Sequence, residues 1–395
     1  MMNRRDFLKA LTLASAAPMW VRFGSLAAEA VGTVPTPDHM LLVVFLNGGN
    51  DGLNTVAPYA DAVYKKLRPT IGLKSDEVFP LASGLGLHKA LARVNQFWAP
   101  GNLAIVHNVG YPNPNFSHFD SAYIWETGSS ELRYHTGWLG RYLDATDGAA
   151  RGPVRAIAVG MDALPRTLIG EKSAGVAMTR LSDFSFVDDV REDASLRRRA
   201  FVDFASDSYG DSLRQQVLEA QVGTVRAVAA VKGTLKPGAP LTPAQTVASM
   251  FAAGVGTEVG FIQSGGFDTH TAQKPTQSTY LKAADKAIGE FFDMAKTLGI
   301  ADRCTVVTVS EFGRRVGENA NNGTDHGSST SMMVMGSRVR GGSYGNVPDL
   351  TKLKDGNLVP EIHMGSVYSS IISGAFKVDP DPIVGGSYAT MPLLS

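Results

Sequence analysis

One cysteine, Cys304, is all this 395-residue chain has, so no intramolecular disulfide can brace it. It lies inside an apolar run and reads as a small buried hydrophobe. Excess charge of either sign is also missing, with 37 basic residues against 37 acidic ones. Setting aside the first 30 residues, which hold four basic and two acidic groups, leaves 33 against 35. Phosphate backbones demand a positive surplus, so nucleic acid is excluded as a partner. No Gly-x-Gly-x-x-Gly follows any apolar run, which argues against a dinucleotide site. Internal repeats and low-complexity tracts are lacking too.

A long unbroken apolar segment is likewise absent. The best approach to one, Ala10 to about Ala28, is interrupted by Pro18, Arg22 and Gly24. A permanent membrane span is therefore not expected. Asn3-Arg4-Arg5-Asp6-Phe7-Leu8-Lys9 stands just before it. Paired arginines, Phe-Leu and a weakly apolar stretch are the pattern of a twin-arginine export signal, here residues 1–30. Small residues around Ala28 and Ala30 suit cleavage. The expected location is periplasmic or extracellular, with the twin-arginine machinery as a partner.

What is present is an alternation of strand-like and helix-like segments, as in an α/β fold. Met40–Leu46 is continuously apolar and suits a strand buried on both faces. Further strands are expected at Leu103–His107, Val154–Val159, Val259–Gln263 and Thr305–Ser310, with Met332–Met335 near a sheet edge. Helices are expected at Phe116–Glu126, Gly137–Ala145, Leu196–Ala230, Pro243–Gly254 and Gln277–Gly299. Thr242-Pro243 supplies a cap and a helix-compatible proline. Residues 38–395 read as a single domain, with a charged helical insertion at about 182–231.

Two Gly-rich turns carry the most chemistry: Gly265-Gly266-Phe267-Asp268-Thr269-His270 and Gly323-Thr324-Asp325-His326-Gly327. Between them an apolar strand runs into Ser310-Glu311-Phe312-Gly313-Arg314. Carboxylates and imidazoles gathered at strand ends suit a divalent metal, zinc first, with calcium or magnesium as alternatives. Open α/β sheets bind ligands beyond the carboxyl ends of their strands. Asp268, His270, Glu311, Asp325 and His326 are thus candidate ligands, and Arg314 or Arg315 a candidate anion contact. Asp51, in the Asn47-Gly48-Gly49-Asn50-Asp51-Gly52 turn, is either another ligand or part of a self-bonded polar turn. Ser117 is either a helix N-cap or a nucleophile at a helix N-terminus. His118 beside it is a substrate contact, a metal ligand or an ordinary surface histidine.

Read in order, the Arg-Arg-x-Phe-Leu-Lys, Leu-Asn-Gly-Gly-Asn-Asp-Gly-Leu-Asn, Asn-Phe-Ser-His-Phe-Asp, Gly-Gly-Phe-Asp-Thr-His, Ser-Glu-Phe-Gly-Arg and Gly-Thr-Asp-His-Gly segments resemble the twin-arginine-exported domain-of-unknown-function 1501 family. That family is similar to the alkaline phosphatase and sulfatase superfamily. The resemblance implies an alkaline-phosphatase-like α/β fold: a doubly wound, mostly parallel sheet flanked by helices. It implies Ser117 as nucleophile and Asp51, Asp268, His270, Glu311 and His326 at the metal, with Asp325 beside His326. Phe312 stands where the superfamily has an imidazole, so a single metal or an altered pair is as open a reading as the usual two zincs. A modifiable Cys or Ser followed by x-Pro-x-Arg is absent, which excludes a formylglycine sulfatase. The expected activity is metal-dependent hydrolysis of a phosphate or sulfate ester, on a small molecule or a polysaccharide, with a Ser nucleophile and a metal-activated water. The alternative is a non-catalytic exported protein of the same fold that binds a surface polysaccharide or a partner protein.

Overall fold

A computed structural model describes residues 34–130, 134–147, 151–152, 154–181 and 240–395. The expected export signal, the helix Leu196–Ala230 and the whole insertion at about 182–231 lie outside the described residues.

The fold is organised by β1 (Met40–Leu46), all seven residues of which are buried. Its apolar run has no polar face to offer water, so it must be covered on both sides. Met40, Leu42, Val44 and Leu46 join one hydrophobic cluster, while Leu41, Val43 and Phe45 join another. That split is the period-two alternation of a strand. Each such side chain, fully buried, contributes about 1.5–3 kcal/mol relative to exposure.

Among the described residues eight further strands join the sheet: β2 (Leu103–Gly110), β3 (Ala156–Val159), β4 (Val176–Met178), β5 (Val259–Ser264), β6 (Cys304–Val309), β7 (Ser329–Met335), β8 (Gly342–Tyr344) and β9 (Ile362–His363). Their order is β8-β2-β7-β6-β1-β5-β3-β4, with β9 also paired to β2. β1 runs parallel to both β5 and β6, pairing Leu41 with Val259 and with Thr305. Among the described strands only β7 runs against the others. This strand was expected near an edge and instead lies between β2 and β6. Its first residues, Ser329 and Thr330, look like a loop but are buried and paired with Gly110 and Val109. A sheet neighbour on each side satisfies their backbone, which the polar side chains conceal.

Helices cover both faces. α1 (His118–Thr127), α2 (Trp138–Ala145) and α5 (Met364–Ile371) pack on the cluster that holds Leu41. α3 (Pro243–Ala252) and α4 (Gln273–Thr297) pack on the other. The result is a doubly wound, mostly parallel α/β sheet. α3 opens with a capping box between Thr242 and Gln245 and Pro243 in its first turn. α4 begins four residues before the expected Gln277, because Pro275 falls in the first turn, where no N–H is required. Among the described residues no helix is long and apolar enough to cross a membrane.

The parallel strands place four loops at one edge: residues 47–51 after β1, 111–117 after β2, 265–272 after β5 and 310–328 after β6. Gly48 has φ of +116°, and a Cβ there would lie 2.4 Å from the Asp268 nitrogen. Glycine is what allows the first and third loops to touch.

Candidate metal centre

Alternation within the loop after β5 aims its functional groups. Phe267 and Thr269 are buried, whereas Asp268 and His270 point outward on one side. The Phe267 amide donates to the Asn47 carbonyl at 3.1 Å, tying the loop to the end of β1. Residues 324–326 repeat the device. Thr324 is buried and its amide donates to the Thr269 carbonyl at 3.2 Å. His326 pairs with Arg314 in a two-residue antiparallel ribbon. Gln273, at the start of α4, links the two loops, since its Oε1 accepts from both the Thr269 and the Thr324 hydroxyls.

Three imidazoles converge on the Asp268 carboxylate. His270 Nε2 lies 3.0 Å and His326 Nε2 3.2 Å from Oδ1, and His118 Nε2 lies 3.4 Å from Oδ2. His270 Nε2 and His326 Nε2 are 3.0 Å apart. Each outer nitrogen faces an oxygen. His326 Nδ1 is 2.8 Å from the Phe116 carbonyl, His118 Nδ1 is 2.9 Å from Glu311 Oε1, and His270 Nδ1 is 3.3 Å from Asp325 Oδ1. A carbonyl or carboxylate oxygen only accepts, so the Nδ1 atoms carry the hydrogens. In neutral imidazoles the Nε2 lone pairs then point inward, at a carboxylate that also only accepts. Such a set is reconciled by a cation at its centre. Imidazole ligands whose other N–H is held by a carboxylate or carbonyl are the usual outer support of a metal. Three nitrogens and an oxygen match zinc's preferred donors. His118, Asp268 and His326 each place a ligand atom within 4.8 Å of one another's.

The electrostatics favour the required charge states. Burial alone would raise the Asp268 pKa, but hydrogen bonding and charge from Arg314, with His326 and His270 beside it, hold it at about 2. Burial pushes the His326 imidazole below its ordinary value; the Phe116 carbonyl opposes this and the Arg314 charge assists it. The Asn319 hydrogen bond, with His270, holds the Asp325 carboxyl below the usual range. Phe312 packs against two of the imidazoles, with ring centroids 4.8 Å from His118 and 4.3 Å from His326. It is buried and fixes their planes.

The expected site residues separate into three groups. Asp268, His270 and His326 meet. Glu311 and Asp325 stand behind His118 and His270; Glu311 also accepts from the Gly48 amide at 2.7 Å. Asp51 and Arg314 do otherwise than the sequence led one to expect. The Asp51 carboxylate is buried in an ion pair with Arg68, accepts from the Leu53 amide at 3.0 Å and accepts from Gln273 Nε2. With its charge already compensated, it lies apart from the cluster. Arg314 is buried and donates to the carbonyls of Gly48, Gly49, Phe267 and Thr324 and to Asp268 Oδ1 at 2.7 Å. It knits three loops together and orients Asp268 rather than facing a substrate. Ser117 caps α1, accepting from the Asp120 amide at 3.5 Å.

His118 is the residue whose role the sequence left open. Its signal was adjacency to Ser117 at a helix start. His118 and Asp268 also line a cavity of about 540 Å³.

Similar solved structures include alkaline-phosphatase-like folds. A protein in the alkaline phosphatase superfamily from Vibrio parahaemolyticus is 13% identical, with a TM-score of 0.38 over 96% of this chain and 78% of that one. A lipoteichoic acid synthase from Listeria monocytogenes is 9% identical, with a TM-score of 0.38 over 92% and 78%. The alkaline phosphatase from the Antarctic bacterium TAB5 is 11% identical, with a TM-score of 0.32 over 78% and 94%. A variant of that enzyme holds magnesium. Likeness at this level carries no residue role across. No curated protein matches the chain. The family described as protein of unknown function, DUF1501, matches residues 104–364, and the chain belongs to that family.

Proposed function

We propose that this protein is an exported, metal-dependent hydrolase of phosphate or sulfate esters. One observation carries the reading: three imidazoles, each with its Nδ1 against an oxygen, turn Nε2 toward one carboxylate. His118, His326 and Asp268, with His270 beside them, hold a single ion, zinc by the chemistry of the donors. When bound, it supplies a Lewis acid for the ester's developing negative charge. A second ion is not part of the proposal, because Asp51 is paired with Arg68 and Phe312 offers no donor.

The Ser117 hydroxyl is the nucleophile. Its cap bond, at 3.5 Å, is at the outer limit for such a contact and leaves the oxygen available. The N-terminal end of α1 favours negative charge next to it. Glu311 and Asp325 keep His118 and His270 in the tautomer that presents Nε2 inward. Arg314 keeps Asp268 ionised. The Arg4-Arg5 signal accounts for export, and replacing both arginines with lysine is expected to leave the precursor in the cytoplasm.

The test is metal analysis of purified protein followed by hydrolysis of an aryl phosphate and an aryl sulfate. One ion per chain and turnover of either ester are expected. Metal-loaded protein that cleaves neither is instead a binding protein of the same fold. Protein that takes up no ion removes the basis of the reading.

A further inference from the structure

The cavity beside the metal cluster is walled on one side by α1. His118, Ala122 and Glu126 line it, together with Phe119 and Tyr123. His118, Ala122 and Glu126 are spaced i, i+4, i+8 and so share one helix face. Eight residues of helix place the first and last about 12 Å apart along the axis. The cavity they line, about 540 Å³, has room for a phosphate or sulfate ester. Asp268 and Gly48 close the near side, and Arg166 closes the far end.

The far end is built around a carboxyl group. The Arg166 amide donates to Glu126 Oε2 at 3.1 Å. The Arg166 guanidinium lies over the Tyr123 ring at 4.4 Å and donates through Nη1 to the His135 carbonyl at 2.7 Å. These contacts fix Arg166 beside Glu126. The groups that face Glu126 electrostatically are Arg166 from the turn after Pro165, Glu311 from the loop after β6, and Tyr368 from α5. Burial raises the Glu126 pKa to about 7; the Arg166 amide and charge work against this rise, and Glu311 adds to it. A carboxylic acid protonated near neutral pH is matched to giving up a proton in a reaction there. Neither the metal nor the nucleophile requires a carboxyl group at this position.

We propose that Glu126 is the proton donor to the departing alcohol oxygen, a role that rests on the hydrolase reading above. As the Ser117 oxygen, whose proton passes to solvent water, forms its bond to phosphorus or sulfur, the bond to the ester oxygen breaks. The electron pair stays on the ester oxygen, which takes the proton from Glu126 and leaves as the neutral alcohol. The resulting carboxylate accepts from the Arg166 amide and faces its guanidinium charge. Phe119, 89% exposed at the cavity, offers an apolar surface to the alcohol's carbon skeleton.

The experiment compares leaving groups. kcat/KM is measured for wild type and Glu126→Gln on a 4-nitrophenyl ester, whose phenolate departs without a proton, and on the corresponding glycerol ester, whose alkoxide does not. Gln keeps an oxygen to accept from Arg166 but has no acid proton. The variant is expected to lose about 100-fold or more on the glycerol ester and to stay within about threefold on the nitrophenyl ester, the range of general-acid effects. Metal content is measured alongside and is expected to be unchanged. Equal loss on both esters, or loss on neither, overturns the donor role while leaving the hydrolase reading intact. Metal-loaded wild type inactive on every ester overturns both. Should the Gln variant not fold, Glu126→Asp carries the same comparison. It keeps the acid but draws it back by one methylene, so the glycerol ester should again be the more affected, and uniform loss again overturns the role.

Discussion

Two carboxylates sit at the same edge of the sheet, Asp51 after β1 and Asp268 after β5, and they end in opposite states. Asp51 receives everything it needs from inside the protein: the Arg68 guanidinium, the Leu53 amide and the Gln273 side chain. Nothing is left for a ligand. Asp268 Oδ1 accepts from Arg314 and also lies against the Nε2 atoms of His270 and His326, while Oδ2 faces His118 Nε2. The residue types are alike, and so is the strand-end location. Each has an arginine partner, Arg68 or Arg314; the difference is that the remaining neighbours of Asp51 are hydrogen-bond donors whereas those of Asp268 are imidazoles. Gln273 touches both regions, donating to Asp51 and accepting from Thr269 and Thr324. The closed region is therefore the footing of the open one.

The sharpest way to break this comparison is Asp268→Ala. The central acceptor goes, and the ion and ester hydrolysis are expected to go with it, as read by metal analysis and turnover. Ion retention at wild-type occupancy would show that the histidines alone make the site. Next, Ser117→Ala is expected to abolish hydrolysis while metal content survives. Its cap contributes about 0.5–2 kcal/mol, which Ser117→Asn should restore in a thermal melt without restoring turnover. An Ala variant that melts early yet turns over normally would assign Ser117 to the cap alone.

Asp51→Ala tests the closed region. It leaves Arg68 buried without its partner, so unfolding free energy should fall by about 3–5 kcal/mol. The folded fraction should still bind one ion. Loss of the ion from well-folded Asp51→Ala protein would place Asp51 in the metal site after all. The smallest expected effect belongs to Glu311→Gln. The amide still faces His118 Nδ1 but no longer carries the charge behind it, so metal affinity should weaken about 10–100-fold by competition with a chelator. Unchanged affinity would mean that Glu311 serves only the Gly48 amide.

Much of the fold was legible because it is local. Met40–Leu46 matches the expected strand end to end, since seven apolar residues in sequence leave no other way to exclude water. α3 was marked by its cap and proline. β7 was misplaced because Ser329 and Thr330 are polar side chains on a buried backbone, and only neighbouring strands reveal that. Candidate residues at the site were legible as types, acids and imidazoles in Gly-rich turns. Their roles were not, because each role depends on a distant partner. The His326 tautomer is set by a carbonyl 210 positions away, and the orientation of His118 by a carboxylate 193 positions away.

By itself, then, the sequence determined the buried strands, the single-cysteine neutral chemistry and the acid and imidazole motifs in Gly-rich turns. Those follow from hydrophobic period, composition and short-range order. Tertiary structure alone decided that Asp51 would be compensated by Arg68, that Arg314 would knit loops together, and that His118 would join Asp268, His270 and His326. The physical reason is that a carboxylate's or imidazole's state is fixed by the charge and hydrogen-bond partner that reach it through space, and sequence spacing does not contain that distance.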